Sequence, residues 1–154
     1  MRNKKVKLNK INKTLAVLIA AMSFNSFGSD TLKETLVYSH NSKDLTWVNC
    51  PDFLPCEIAS LNGELGGNNN DVFIKFPSLA EIPFHTHTST EHMILLEGEF
   101  HTTYKGFERV VLKKGDYAFG PADLAHDGYC ASKEDCVMFV AYETPIDAIP
   151  ISNK

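Results

Sequence analysis

His85, His87 and Glu91 stand close together in the run His85-Thr-His-Thr-Ser-Thr-Glu-His-Met-Ile-Leu-Leu-Glu-Gly98. In an extended strand, side chains two residues apart share a face, so His85 and His87 point at one spot. Glu91 reaches the same spot if the chain turns through Thr88, Ser89 and Thr90 into the next strand. Nitrogen and oxygen donors converging in this way suit a divalent transition metal and leave positions free for water or substrate. A fourth donor must come from elsewhere, and His126 is the candidate. Rival motifs fail. No Gly-x-Ser-x-Gly is present, and His87-x3-Glu91-His92 is one residue too long for the inverted zinc-protease pattern.

These side chains need strands to aim them. Past residue 30 no stretch has a convincing helical period, and short apolar-alternating runs are broken by turns at about eight- to twelve-residue intervals, which predicts an all-β sandwich or barrel. Glu91, Met93 and Leu95 fall on one face of their strand, with His92, Ile94 and Leu96 on the other. Strands 91–96 and 99–104 are expected to form a hairpin about Glu97-Gly98. Met93, Tyr104, Tyr117, Phe119 and Phe139 are the candidate pocket walls. His92 is expected on the outer face, and His40 and His101 at the surface. Leu36-Val-Tyr38 reads as a short strand, Trp47 as hydrophobic filler, and residues 145–154 as an irregular tail.

The first thirteen residues carry five Lys, one Arg and no acid, and an apolar run, Thr14 to Phe24, follows. This reads as a secretory signal peptide over 1–28, cut after Gly28. The run is too short to serve as a stable membrane anchor, since a span takes roughly 20 residues. Export would place the protein in the periplasm or outside the cell. It would also leave nine basic against nineteen acidic side chains, a formal charge of −10. Such a charge argues against nucleic acid and anionic lipid as partners. The remaining chain divides into an extended lead-in and loop, 29–56, a β-barrel, 57–144, and the tail.

The four cysteines are spaced Cys50-x5-Cys56 and Cys130-x5-Cys136. In an oxidising compartment an even number reads as disulfides, and local pairing, 50–56 and 130–136, is the favoured connectivity. Closing each short loop restricts the unfolded chain by roughly 2 kcal/mol.

The pattern resembles the cupin superfamily. Its first motif, Gly-x5-His-x-His-x3–4-Glu-x6-Gly, is matched by His85, His87, Glu91 and Gly98, with Leu79 where the leading glycine stands. Its second, Gly-x5-Pro-x-Gly-x2-His-x3-Asn, is matched by Gly115, Pro121 and His126, with Asp123 and Cys130 at the other two positions. The phrasing is similar to that of small single-domain bacterial cupins and of the zinc-binding cupin domains of some anti-sigma factors. The resemblance implies a double-stranded β-helix, or jelly roll. It implies one divalent transition metal (Fe, Mn, Zn or Ni) held by His85, His87, Glu91 and His126 inside the barrel. It also implies a small-molecule ligand and pairing of two copies as a homodimer.

Two classes of function fit. One is a metalloenzyme, foremost a dioxygenase-like oxidoreductase acting on a small organic molecule, with decarboxylase and isomerase chemistry also open. The other is a non-catalytic, metal-dependent module that binds or senses a small molecule.

Overall fold

A strand that buries one face alternates its side chains with period two, and Glu91–Glu97 does so: Glu91, Met93 and Leu95 are buried while Ile94 is exposed. The computed structural model describes residues 37–151, and the expected signal peptide lies outside them. Among the described residues there is no helix. The strands are β1 (Val48–Asn49), β2 (Glu57–Asn62), β3 (Asn70–Phe76), β4 (Glu81–Thr86), β5 (Glu91–Glu97) and β6 (Glu99–Tyr104). They continue as β7 (Val110–Lys113), β8 (Tyr117–Gly120), β9 (His126–Cys130), β10 (Cys136–Tyr142) and β11 (Ile149–Pro150).

All pairings are antiparallel, in two sheets ordered β1-β2-β3-β10-β5-β8 and β11-β4-β9-β6-β7. From β3 to β6 each strand belongs to the opposite sheet from the one before, and the same holds from β7 to β10. This is the double-stranded β-helix expected from the sequence. Ile74, Leu95 and Met138 of the first sheet form the core with Phe100 and Leu112 of the second.

Three local features aim the site. The register of β4 on β9 shifts between Ile82 and His85, so a bulge at Pro83-Phe84 separates two residues that are both buried. Without that extra residue, side chains three apart would face opposite ways. Gly98 carries the chain from β5 in one sheet to β6 in the other, so the expected hairpin is instead a sheet-to-sheet crossing. Its φ is 86°, and a Cβ there would lie 2.8 Å from Cys136 Sγ. Finally, Cys130 on β9 is bonded to Cys136 on β10, which staples the two sheets together. The second disulfide, Cys50–Cys56, closes the loop before β2.

Other expectations are corrected. Val37 and Tyr38 carry no strand; Leu36 lies outside the described residues. Trp47 is half-buried beneath Lys75, whose Nζ stands 4.4 Å from the ring centroid, so it is not core filler. His40 is half-buried, edge-on to Phe73 and 3.3 Å from Glu97. The tail is not irregular throughout, because Ile149 and Pro150 pair with Thr86 and His85 of β4.

Candidate metal centre

β4 and β9 pair so that His85 stands directly opposite His126. His87 follows β4 by one residue, and Glu91 opens β5 in the facing sheet. One ligating atom from each of His85, His87 and His126 lies within 4.8 Å of the other two, and all three residues are buried. Glu91 stands outside that mutual cluster. Its carboxylate oxygens nevertheless lie 3.4 Å from His87 Nε2 and 3.5 Å from His126 Nε2.

The hydrogen bonds decide which ring nitrogen is available. His85 Nδ1 bonds the Pro83 carbonyl at 2.7 Å, His126 Nδ1 bonds that of Leu124 at 3.1 Å, and His87 Nδ1 bonds that of Asp147. A carbonyl oxygen only accepts, so each Nδ1 carries the proton. In a neutral ring each Nε2 then offers a lone pair, and those of His87 and His126 stand 3.4 Å and 3.5 Å from the Glu91 oxygens. Lone pairs gathered in this way repel one another unless a cation lies among them. Orientation of ligating imidazoles through the other ring nitrogen is a general feature of protein metal sites. The donor set therefore fits a divalent metal, and three neutral imidazoles with one carboxylate leave it one positive charge uncompensated.

Burial supports the neutral rings. Desolvation, then the neighbouring His126, pulls the pKa of His85 down to about 4. Burial also lowers that of His126 against the pull of Glu91. The Tyr142 hydroxyl donates to Glu91 Oε1 at 3.0 Å, and burial holds this phenol well above its ordinary pKa. Burial raises Tyr104 as well; its ring lies against that of His126, with centroids 4.9 Å apart.

The site opens into a cavity of about 230 Å³ between the sheets. Met93 and Tyr104 line it, as expected, but Tyr117, Phe119 and Phe139 do not. Paired residues on neighbouring antiparallel strands point to the same side. Met93 points inward and pairs with Ala118, so Tyr117 and Phe119 follow Ile94 and His92 to the outside, where they are 57% and 46% exposed. Phe139 pairs with Ile94 and packs on Phe73 of the outer face. His92 lies on that outer face, bonded through Nδ1 to the Tyr117 hydroxyl at 2.9 Å, and His101 lies half-buried beside Glu99.

Several site residues were not foreseen. Tyr142 was legible, since it continues the inward parity of Met138 and Val140 on β10. Gly120 was not: a Cβ there would stand 2.8 Å from Glu91 Oε2 and 2.9 Å from the Tyr104 hydroxyl. Nor was Asp147, whose carboxylate takes hydrogen bonds from Thr88 N at 2.8 Å and Thr88 Oγ1 at 2.7 Å. The Cys50–Cys56 loop also lines the cavity, and its Phe53 ring stands 6.3 Å from that of His85.

A two-sheet β-helix with three inward histidines and a glutamate beside them defines a class, the jelly-roll metal-site proteins. Comparison with known proteins narrows it. The family model described as a cupin domain matches residues 72–142, and the chain belongs to the cupin superfamily. A germin-like protein of Morus alba is 34% identical over 88 residues, covering 52% of this chain and 42% of that protein. The chain thus spans well under half the length of this relative. Among solved structures, an RmlC-like cupin from Shewanella frigidimarina superposes with a TM-score of 0.56 at 22% identity, over 70% of this chain and 92% of that one. The DMSP lyase DddQ of Ruegeria pomeroyi superposes with a TM-score of 0.56 at 19% identity, over 71% and 61%. At these identities the two structures speak for the fold alone.

Proposed function

We propose that this chain is an exported metalloenzyme, a dioxygenase-like oxidoreductase that acts on a small organic molecule at a site made by His85, His87, His126 and Glu91. The observation that carries the metal reading is the set of three Nδ1–carbonyl hydrogen bonds, which turns every unprotonated nitrogen of the cluster toward the cavity side. A redox-active metal supplies electron exchange with dioxygen there, whereas a Lewis-acidic one polarises a carbonyl or hydroxyl.

The chain's own residues do the rest. The imidazoles and Glu91 orient the bound group. Tyr142 holds one Glu91 oxygen in place, and the Tyr104 hydroxyl stands where a proton or hydrogen bond can be offered to a ligand. The apolar walls exclude water, which strengthens each polar contact inside. Export is supported by the two disulfides, which belong to oxidising compartments.

The test is metal analysis of purified protein followed by oxygen-electrode assays with phenolic and enolic compounds. The expected result is close to one equivalent of metal and oxygen uptake that His87→Ala abolishes. Metal binding with no oxygen uptake and no product from any compound would leave a non-catalytic binding module. Absence of metal after reconstitution with iron, manganese, zinc and nickel would overturn the reading. Mass spectrometry of the protein from exporting cells should find Ser29 at the N-terminus.

A further inference from the structure

The walls of the cavity carry information about its occupant beyond the metal site. They are hydrocarbon on nearly every side: Ile58, Ile74 and Met138 from one sheet, Phe100 and Leu112 from the other, and Ile146 from the segment between β10 and β11. Among the described residues, no Lys or Arg lines the cavity. Its charged residues besides the site histidines are acidic, namely Glu91, Asp127 and Asp147. Asp127 Oδ1 accepts from the backbone of Thr103 at 2.9 Å, and the Asp147 carboxylate is held by Thr88.

Neutral hydrogen-bonding side chains on the wall are few: Asn49, exposed on β1, and Thr102, Tyr104 and Tyr142. The Thr102 hydroxyl donates to the Asp127 carbonyl at 2.7 Å, and that of Tyr142 to Glu91. Among the described residues, Tyr104 is the cavity-lining phenol whose hydroxyl makes no hydrogen bond to protein. A sugar, with a hydroxyl on most carbons, would bury polar groups that find no partner. A second carboxylate, or a phosphate distant from the metal, would be buried beside acids with no cation to meet it.

Charge and volume set the remaining limits. One divalent cation against Glu91 and three neutral imidazoles accepts one further negative charge before the site becomes anionic. A cavity of about 150 Å³ holds benzene. By that scale a cavity of about 230 Å³ takes a molecule of roughly nine non-hydrogen atoms. We infer that the occupant is a small amphiphile with a single anionic oxygen head, carboxylate or enolate, seated at the histidine–glutamate site and an uncharged, hydrocarbon-like body packed between the sheets. This inference rests on the metal reading above and specifies the ligand class for the same site.

Metal-free protein reconstituted with Co(II) provides the test, since a head group reaching the metal changes the visible spectrum. Butanoate, hexanoate and octanoate are titrated beside succinate, adipate and suberate, each pair matched in carbon number, with affinity taken from the spectrum and from calorimetry. The monoacids should tighten about fourfold for each added methylene until the cavity is filled. Each diacid should bind at least roughly a hundredfold more weakly than its matched monoacid. A flat chain-length series, or equal binding of monoacids and diacids, would overturn the inference while leaving the metal site intact. Failure to take up Co(II) or any other divalent metal would remove the metal reading and this inference together.

Discussion

The backbone carbonyl of Asp147 accepts the Nδ1 proton of His87, and its carboxylate takes two hydrogen bonds from Thr88. The segment ahead of β11 is thereby tied to a candidate ligand sixty positions earlier in the chain. The tie holds the His87 ring in one orientation and one tautomer.

Asp147→Ala leaves the carbonyl but releases Thr88. Metal affinity is expected to fall about 10- to 100-fold, the range typical of lost outer partners. Stability should fall by about 1–2 kcal/mol through the lost hydrogen bonds. Competition with a chromophoric chelator measures the first effect and urea unfolding the second. Unchanged metal affinity would mean that the tie is structural and does not serve the site.

Gly120 keeps the space beside Glu91 empty. A methyl group there would stand 2.8 Å from Glu91 Oε2, so Gly120→Ala must push the carboxylate or the strand aside. Metal affinity should drop by about tenfold or more. His92→Ala, one residue from Glu91 but on the opposite face of β5, should keep its metal. If both variants bound metal like the parent protein, Glu91 would not be a ligand.

The metal-free protein should lose stability as pH falls. Burial and His126 hold His85 near 4, whereas an unfolded histidine titrates near 6.5. Between those values the unfolded chain binds more protons than the folded one, so stability rises with pH across that window. The contribution of His85 is complete above about pH 6.5, declines as pH falls toward 4, and amounts to roughly 3 kcal/mol at most. Urea midpoints of chelator-treated protein at several pH values should show this slope, and His85→Asn should flatten it.

Leu79 and Asp123 hold φ values of 58° and 61°. Both are left-handed conformations that cost a side-chain-bearing residue energy. They occupy the two glycine positions of the family pattern at which this chain carries another residue. Leu79 is 56% exposed, so its side chain adds little burial. Leu79→Gly should therefore stabilise the protein by about 0.5–1 kcal/mol, with a smaller gain at Asp123 because Asp tolerates this region better. Chemical denaturation decides the matter. A loss of stability at Leu79→Gly would show that the strain is already relieved by local contacts.

Much of the molecule was legible in residue order because the relevant physics is local. Alternation within β5 set Glu91, Met93 and Leu95 inward, the His85-x-His87 spacing put two rings on one side, and the short cysteine spacings matched the pairs that close. What a strand's own pattern leaves open is its alignment against its neighbours. Tyr117, Phe119 and Phe139 look like pocket walls by composition, yet pairing with His92 and Ile94 sends Phe119 and Tyr117 outward, and Phe139 likewise follows Ile94.

The sequence alone determined the chemistry on offer: the donor types, their spacing and the β-rich patterning that carries them. Only the tertiary structure decided which carbonyl orients each imidazole, that Tyr142 and Gly120 shape the surroundings of Glu91, and that the described residues lining the cavity are mostly hydrocarbon and include no Lys or Arg. The reason is that a one-residue bulge at Pro83-Phe84 or a sheet crossing at Gly98 reassigns whole faces. Such shifts are settled by packing between strands distant in sequence.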